Sequence, residues 1–356
     1  MIVTLSLSLR VAVNAEALNM AEAVGNYTRH RKAPVVIASE AGYSVVYVPA
    51  VSGESLAHAY QQLLAQIAKQ RKLPVTELDE MGYFLKFSSG DILSWYEEDL
   101  KKIDSKYTAE FLKNKATPIE EIEKAIVKSS IVADIGGFLY TDRQVKRTSA
   151  IRFSYMLPTL DAIEKGGVAL IPQLHTRYAP PKLAKEQQML FYLESGSALY
   201  TFTAELVASD IGRLFYSKSD DPNLKKQRPE RVKAAVDSLT ALVDGVLFGA
   251  KRSRYNPVWD VKSLIVALSK GPVEFIVSSG VTRDYIKKTY ERAVNITKAI
   301  QEETINIYVY NGENLEEPQL VQESKNVTYE KTTSHTEALV RARDKLVKII
   351  EALEIV

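Results

Sequence analysis

An α+β fold is predicted for this chain of 356 residues by three features. These are a period-two strand at its start, a strand–helix–strand arrangement at each end, and a long helical insertion between them. In the opening strand Val3, Leu5, Leu7, Leu9, Val11 and Val13 alternate with Thr4, Ser6, Ser8 and Arg10, giving one buried apolar face and one hydroxyl-lined face. The length exceeds what one compact core usually holds, so one large domain with insertions, or a pair of domains, is expected.

The elements follow in order. Gly25-Asn26-Tyr27-Thr28-Arg29-His30-Arg31-Lys32 is a cationic turn with an aromatic beside it. Residues 34–37 and 43–48, rich in Val and Tyr, read as a hairpin around Glu40-Ala41-Gly42. A helix enters at Ser52-Gly53-Glu54-Ser55 and carries Leu56, Tyr60, Leu63, Leu64 and Ile67 at helical spacing. From Lys72 to about Ser130 Lys and Glu become dense, and Thr117-Pro118-Ile119-Glu120 supplies an N-cap, a proline at the first helical position and a capping-box glutamate. Strands are expected at 168–171 and 199–206, with a protruding element from Leu174-His175-Thr176-Arg177-Tyr178-Ala179-Pro180-Pro181 between them. A polar loop at 217–228 precedes a helix from about Pro229 to Leu247. Apolar segments at 264–268 and 273–277, a helix over about 283–301 and a strand through Ile305, Ile307 and Val309 come next. The last helix opens on a capping box, Ser334 with Glu337. This order suits a ferredoxin-like core with long elaborations.

Composition narrows the chemistry. Lys and Arg number 46 against 44 Asp and Glu, a formal net charge of +2, so any nucleic-acid binding must come from local patches rather than from bulk charge. There are no cysteines, which excludes a disulfide scaffold, a Cys-based zinc site, an iron–sulfur cluster and a thiol nucleophile. That absence, with many Lys and Glu, fits a thermophile's cytosol. The N-terminus lacks a signal-peptide pattern and no apolar run reaches bilayer length, so a cytoplasmic protein without membrane contact is expected.

The stretch from Asn14 to His58 carries the most chemistry. Its cationic turn can neutralise phosphates while Tyr27 stacks on a base, and the helix start at Ser52 offers free N–H groups to a phosphate. A solvated loop would show the same composition. Arg143, Lys146, Arg147 and Arg152 form a second basic cluster, and Lys251, Arg252 and Arg254 a third. Three clusters in a nearly neutral chain imply segregated acidic residues, as a one-sided groove requires. His30, His58, His175 and His335 form no metal-ligand pair. No phosphate-binding loop, nucleophile elbow or catalytic constellation is present, and no cofactor is expected.

Laid out in this way, the chain resembles the repeating backbone subunit of archaeal type I-A CRISPR effector complexes (Cascade), in the DevR-like group of CRISPR-associated proteins. The resemblance rests on Val13-Asn14-Ala15-Glu16-Ala17-Leu18-Asn19, on Val24-Gly25-Asn26-Tyr27-Thr28-Arg29-His30-Arg31, and on the run from Tyr47 to Tyr60. It continues through Val145-Lys146-Arg147-Thr148-Ser149, Leu174-His175-Thr176-Arg177-Tyr178-Ala179-Pro180 and Gly249-Ala250-Lys251-Arg252-Ser253-Arg254.

The resemblance implies a modified RNA-recognition, ferredoxin-like core made of 1–71 and 131–356. It also implies a mostly helical insertion at 72–130 and a thumb at about 174–195. Such subunits stack helically along the spacer of a CRISPR RNA and present it for pairing with target DNA. They assemble with other Cascade subunits and leave cutting to a separate nuclease-helicase. The expected RNA contacts are Asn26, Arg29, His30 and Lys32 on the basic stretch, and Ser52, Gly53, Ser55 and His58 at the helix start. Arg147, Ser149, His175, Arg177, Lys251, Arg252 and Arg254 complete the channel. Two other readings stay open, an RNA-processing ribonuclease and a DNA-binding autoregulator of a CRISPR operon.

Overall fold

The computed structural model describes residues 1–40, 42–177, 189–217, 219–245, 248–249, 251–320 and 325–355. Strand β1 (Ile2–Glu16) is the centre of the sheet, hydrogen-bonded antiparallel to β11 (Met189–Val207) on one edge and to β12 (Val258–Gly271) on the other. The same β11 residues that face β1 at 204–206 also pair with β8 (Ile151–Phe153), so the order across the middle is β12-β1-β11-β8. Beyond β12 lie β13 (Thr304–Asn311) and β14 (Val327–Lys331). Helix α1 (Gly53–Gln70) lies between β1 and β8 in sequence, and α8 (Pro222–Asp244) between β11 and β12.

The alternation in β1 has the physical consequence expected of it on one face. Val3, Leu5, Leu7, Leu9, Val11 and Val13 join Leu56, Tyr60 and Leu64 of α1, Val232, Val236 and Leu239 of α8, and Leu339 and Leu346 of α10 (His335–Ile355) in one apolar core. Burying each such side chain contributes about 1.5–3 kcal/mol. The hydroxyl-lined face is a correction: Thr4, Ser6, Ser8 and Arg10 are buried too. The segment at 272–282, whose apolar stretch does not form a strand, lies across that face as a strap. Ser6 Oγ donates to the Phe275 carbonyl at 3.0 Å and accepts from the Val277 N–H at 3.2 Å, and the Gly280 N–H donates to Ser8 Oγ at 2.9 Å. Arg10 lies beneath, held by Asp161 at 2.7 Å, Glu313 at 3.0 Å and the Gly280 carbonyl at 3.1 Å. A second apolar cluster, including Ile265, Ile286 and Ile307, fills the space between the sheet and α9 (Tyr285–Ala299).

Strand β11 runs past the end of β1. Its outer part carries β10 (Val168–Arg177) antiparallel on one edge and two residues of β3 (Tyr27–His30) parallel on the other. β3 in turn pairs with β2 (Met20–Val24) through a two-residue turn in which Gly25 has φ +60°. β4 (Lys32–Ser39) and β5 (Gly42–Pro49) form a separate hairpin in the expected place, with Ala41 outside the described residues.

Residues 77–136 hold short helices: α2 (Glu77–Glu80), α3 (Glu97–Ile103), α4 (Ala109–Lys113), α5 (Ile119–Ser129) and α6 (Ile131–Gly136). They share an apolar cluster that includes Phe87, Tyr96, Leu100, Leu112 and Ile126. Two helix starts differ from expectation. Thr117 does not cap α5, because its hydroxyl donates to the Phe111 carbonyl at 2.6 Å. Helix α8 begins at Pro222 rather than near Pro229, capped by Asp221, whose carboxylate accepts from the Asn223 and Leu224 N–H groups at 3.0 and 3.1 Å. Pro222 takes the first helical position behind that cap, so Pro229 lies inside the helix.

Candidate nucleic-acid interface

The basic stretch is an arm made mostly of strand rather than a turn, broken at Arg31 between β3 and β4. The cations on both sides of His30 therefore face out, although period two alone would put His30 and Lys32 on one face. Arg29 and Lys32 are exposed, whereas His30 between them is 2% exposed. The Arg29 guanidinium sits 5.8 Å from the centre of the Tyr27 ring, which stacks on Tyr192 of β11 at 5.9 Å. Asn26 donates to the Leu190 carbonyl at 3.0 Å and so fixes the arm to β11. His30 is a correction: its Nε2 meets Glu16 at 2.8 Å and its Nδ1 the Arg31 carbonyl at 2.8 Å, so its ring is committed inside the protein.

The arm and the helix start meet at Asn19. Its Oδ1 accepts from Arg31 Nε at 2.7 Å and from the Ser52 N–H at 3.1 Å. Ser52 Oγ caps α1 by accepting from the Ser55 N–H at 3.2 Å, which satisfies one of the helix's free donors. A Cβ at Gly53 would lie 2.5 Å from the Phe153 carbonyl oxygen, so only glycine lets the helix begin this close to β8. Beside the helix start a groove of about 510 Å³ is lined by Gly53, His58, Gln61, Lys86, Ser149 and Arg152, among others. Three predicted residues, Gly53, His58 and Ser149, therefore share one surface. His58 is exposed, with its ring edge-on to Phe84 at 5.0 Å. Ser149 Oγ donates to the Ile151 carbonyl at 2.6 Å. Burial pushes the Lys86 ammonium below its usual range, opposed by Asp79. Glu54 adds a negative charge at the groove's edge.

The second basic cluster does not form a surface. Arg147 is 3% exposed and is held by Asp134 at 2.5 Å, Glu123 at 3.3 Å and the carbonyls of Asp134, Asp210 and Arg213. Its strand β7 (Val145–Arg147) turns it inward against Phe215. Arg143 donates to the Lys115 and Thr117 carbonyls, and Arg152 pairs with Glu205 and Glu274.

Near the outer end of the described β10–β11 ladder, where His175 pairs with Phe191, His175 and Arg254 do come together. His175 Nε2 meets Tyr255 Oη at 2.7 Å, its ring stacks on Phe191 at 5.3 Å, and the Arg254 guanidinium lies 5.3 Å from the same Phe191 ring. Arg252 is exposed and Lys251 half-buried in the same turn, which closes through the Arg254 and Tyr255 N–H groups on the Lys251 carbonyl. The side chain of Arg177, residues 178–188 and Ala250 lie outside the described residues. Adjacent β11 residues thus carry Phe191 with Arg254 on one face and Tyr192 with Tyr27 and Arg29 on the other. Asn19, Tyr192, Phe191, Tyr255 and Lys86 are participants that sequence reasoning passed over. Asn19 closes the first motif behind the resemblance and Tyr255 follows Arg254, so position alone marked both. Among the described residues no helix is long and apolar enough to cross a membrane.

Comparison with known proteins first defines a class, CRISPR-associated proteins. The family model described as "CRISPR-associated negative auto-regulator DevR/Csa2" matches residues 7–290. A protein of Saccharolobus solfataricus named "CRISPR-associated aCascade subunit Cas7/Csa2 2" is 37% identical over 316 residues, covering 87% of this chain and 92% of its own. "CRISPR-associated protein Cas7/Csa2 1" from the same organism is 36% identical over 287 residues, covering 79% and 84%. A chain of a solved structure described as "CRISPR RNA-guided surveillance complex, pre-nicking" has a TM-score of 0.50 over 96% of this chain and 99% of that one. At 8% identity the likeness is one of fold. This chain belongs to the DevR/Csa2 family.

Proposed function

We propose that this chain is a non-catalytic CRISPR RNA-binding subunit. In this reading it stacks with copies of itself along the guide spacer, forms the backbone of a type I-A Cascade complex in the cytoplasm, and presents the guide for pairing with target DNA. One observation carries the reading: a single side chain, Asn19, joins the arm bearing Arg29 and Lys32 to the N-terminus of α1, so the two gripping features share one edge of the molecule. The relative named as an aCascade subunit supports the assembly, and other Cascade subunits with a separate nuclease-helicase are the further partners in this reading. We read the β1-α1-β8-β11-α8-β12 unit as a modified RNA-recognition, ferredoxin-like core. Residues 72–130 are its helical insertion, and the projection at about 174–195 is its thumb. Because the strap covers one sheet face, the strand runs along the edge, over Asn26, Arg29, Lys32, Ser52, Gly53, Ser55 and His58, then past Ser149, His175, Arg177, Lys251, Arg252 and Arg254.

Binding of this kind is mostly to phosphate and ribose, so affinity falls steeply with salt. Arg29→Ala and Lys32→Ala should each weaken binding of single-stranded RNA of any sequence and flatten the log–log salt slope by roughly 0.7. Filter binding over a salt series checks this. An unchanged slope, or stronger competition by duplex DNA than by RNA, sinks the reading, and cleavage of labelled repeat RNA would favour the ribonuclease.

A further inference from the structure

We propose that Glu16, through a doubly protonated His30 ring, and Glu194, through the His30 N–H and Tyr27, are positioning residues that hold the β2–β3 arm in place, so that this chain's grip on a ribose-phosphate strand loosens as pH rises. This deepens the RNA-binding reading above and rests on it.

Apart from this network the arm is held by Asn26 on the Leu190 carbonyl, by the Tyr27 ring on Tyr192 and by few backbone bonds to the rest of the protein. Its strands pair with each other, and only Tyr27 and Thr28 pair with β11. A two-stranded ribbon is marginal alone in water. Glu194, 6% exposed, accepts from the His30 N–H at 2.8 Å and from Tyr27 Oη at 3.0 Å, with Lys32 Nζ at 3.8 Å. Glu16, wholly buried, takes His30 Nε2 at 2.8 Å, the Leu18 N–H at 2.8 Å and Tyr200 Oη at 2.8 Å. A Cβ at Gly196 would sit 2.6 Å from Glu16 Oε1, so the carboxylate occupies space that only glycine leaves open.

The ring's protonation state follows from its partners. Nδ1 faces the Arg31 carbonyl, which can only accept, and Nε2 faces the Glu16 carboxylate, which as an anion also only accepts. Both hydrogen bonds exist together only for the imidazolium. Loss of one proton breaks one of them and takes the ring's charge away from the buried Glu16 carboxylate, while Glu194 keeps Lys32 at 3.8 Å. The titratable and charged groups facing the cluster are Glu16 of β1, Glu194 and Tyr200 of β11, Tyr27 of β3 and Lys32 of β4. Burial pushes His30 down, but the hydrogen bond and charge of Glu16 outweigh it and the net displacement from 6.5 is upward. Burial pushes Glu16 up, but His30, the Leu18 N–H and Tyr200 outweigh it and the net displacement from 4.5 is downward. Tyr200 stays protonated, raised by burial and by Glu16. His30's contribution is therefore complete below its ordinary value and is lost as pH rises through its raised folded value. Glu16's contribution is present above its ordinary value and fades as pH falls through its lower one. The arm is firmest between those limits.

The chain has four histidines, so ring resonances can be followed one by one in the full-length protein without RNA. His30 should titrate above its ordinary value, and Glu16→Gln should bring it down. Hydrogen exchange of the amides at 20–32 should quicken in Glu194→Gln and His30→Gln while the sheet core stays protected. Affinity for a single-stranded RNA should fall about tenfold from pH 6.5 to pH 9 in the unaltered protein, the loss of one charge-assisted hydrogen bond. That fall should flatten in His30→Gln. A His30 that titrates at or below 6.5, or arm amides indifferent to Glu194→Gln, overturns the proposal. If His30→Gln fails to fold, the Glu194→Gln exchange and the Glu16→Gln titration decide it. If the unaltered protein binds no RNA, the RNA reading fails, while the titration and exchange still judge the network.

Discussion

Asp134 shows how much one buried carboxylate can organise. It accepts from Arg147 at 2.5 Å, from Arg231 at 2.7 Å and from the Gly212 N–H at 3.0 Å, all out of water. Burial pulls the Arg231 guanidinium below its usual range, and Asp134 opposes that. Asp134→Ala would leave the buried Arg231 guanidinium without its carboxylate and Arg147 with only the Glu123 carboxylate, and breaking such a set costs about 3–5 kcal/mol. Guanidinium-chloride unfolding should show that loss, and a loss below about 1 kcal/mol, the level of an exposed pair, would mean that the charges find water. Arg147, Ser149 and Arg152 stand close together in sequence, yet they face the interior, a backbone carbonyl and two glutamates respectively.

At the scale of elements, caps and strand period do most of the deciding. Asp221 starts α8 at Pro222, seven residues before Pro229, and also pairs with Lys124 at 3.2 Å and Lys128 at 3.4 Å. Burial pushes its carboxyl up, but the Leu224 N–H and the two lysines outweigh that, so it lies below its usual 3.8. Its contribution to stability is present above that value and is lost as pH falls through the lower folded one. Asp221→Ala should cost about 1–2 kcal/mol near neutral pH and progressively less in acid, as a pH series of thermal melts would record. A cost that does not change between neutral pH and strong acid would contradict the cap. The arm obeys the same local logic. The four basic residues read as a turn divide between β3 and β4: pairing of β2 with β3 turns Arg29 out and His30 in, and the break at Arg31 lets Lys32 face out as well.

For the molecule as a whole, the strap at 272–282 decides which surface is free. It converts an amphipathic strand into one buried on both sides, and it fits only because Gly280 has no side chain. A Cβ there would lie 2.7 Å from Thr201 Oγ1 and 2.9 Å from the Leu9 carbonyl oxygen. Gly280→Ala should destabilise by about 1–3 kcal/mol and quicken hydrogen exchange in β1 and the strap. Its RNA affinity should stay unchanged where the variant is folded, because the proposed strand runs over the arm and the helix start. A fall in affinity to match the loss of stability would move the interface to the sheet face.

The periodic elements were legible because their signals are local: the β1 alternation, the α1 helical spacing and the 32–49 hairpin each need only neighbouring residues to form. The family was legible for a related reason, since its motifs are short runs read in order. Tertiary structure alone decided which polar groups are spent inside. Glu16, Asp134 and Glu194 draw His30, Arg147 and Arg231 into the protein across separations of 13 to 164 residues. A buried charge must find its partner wherever the fold brings one, and no local pattern records where that will be.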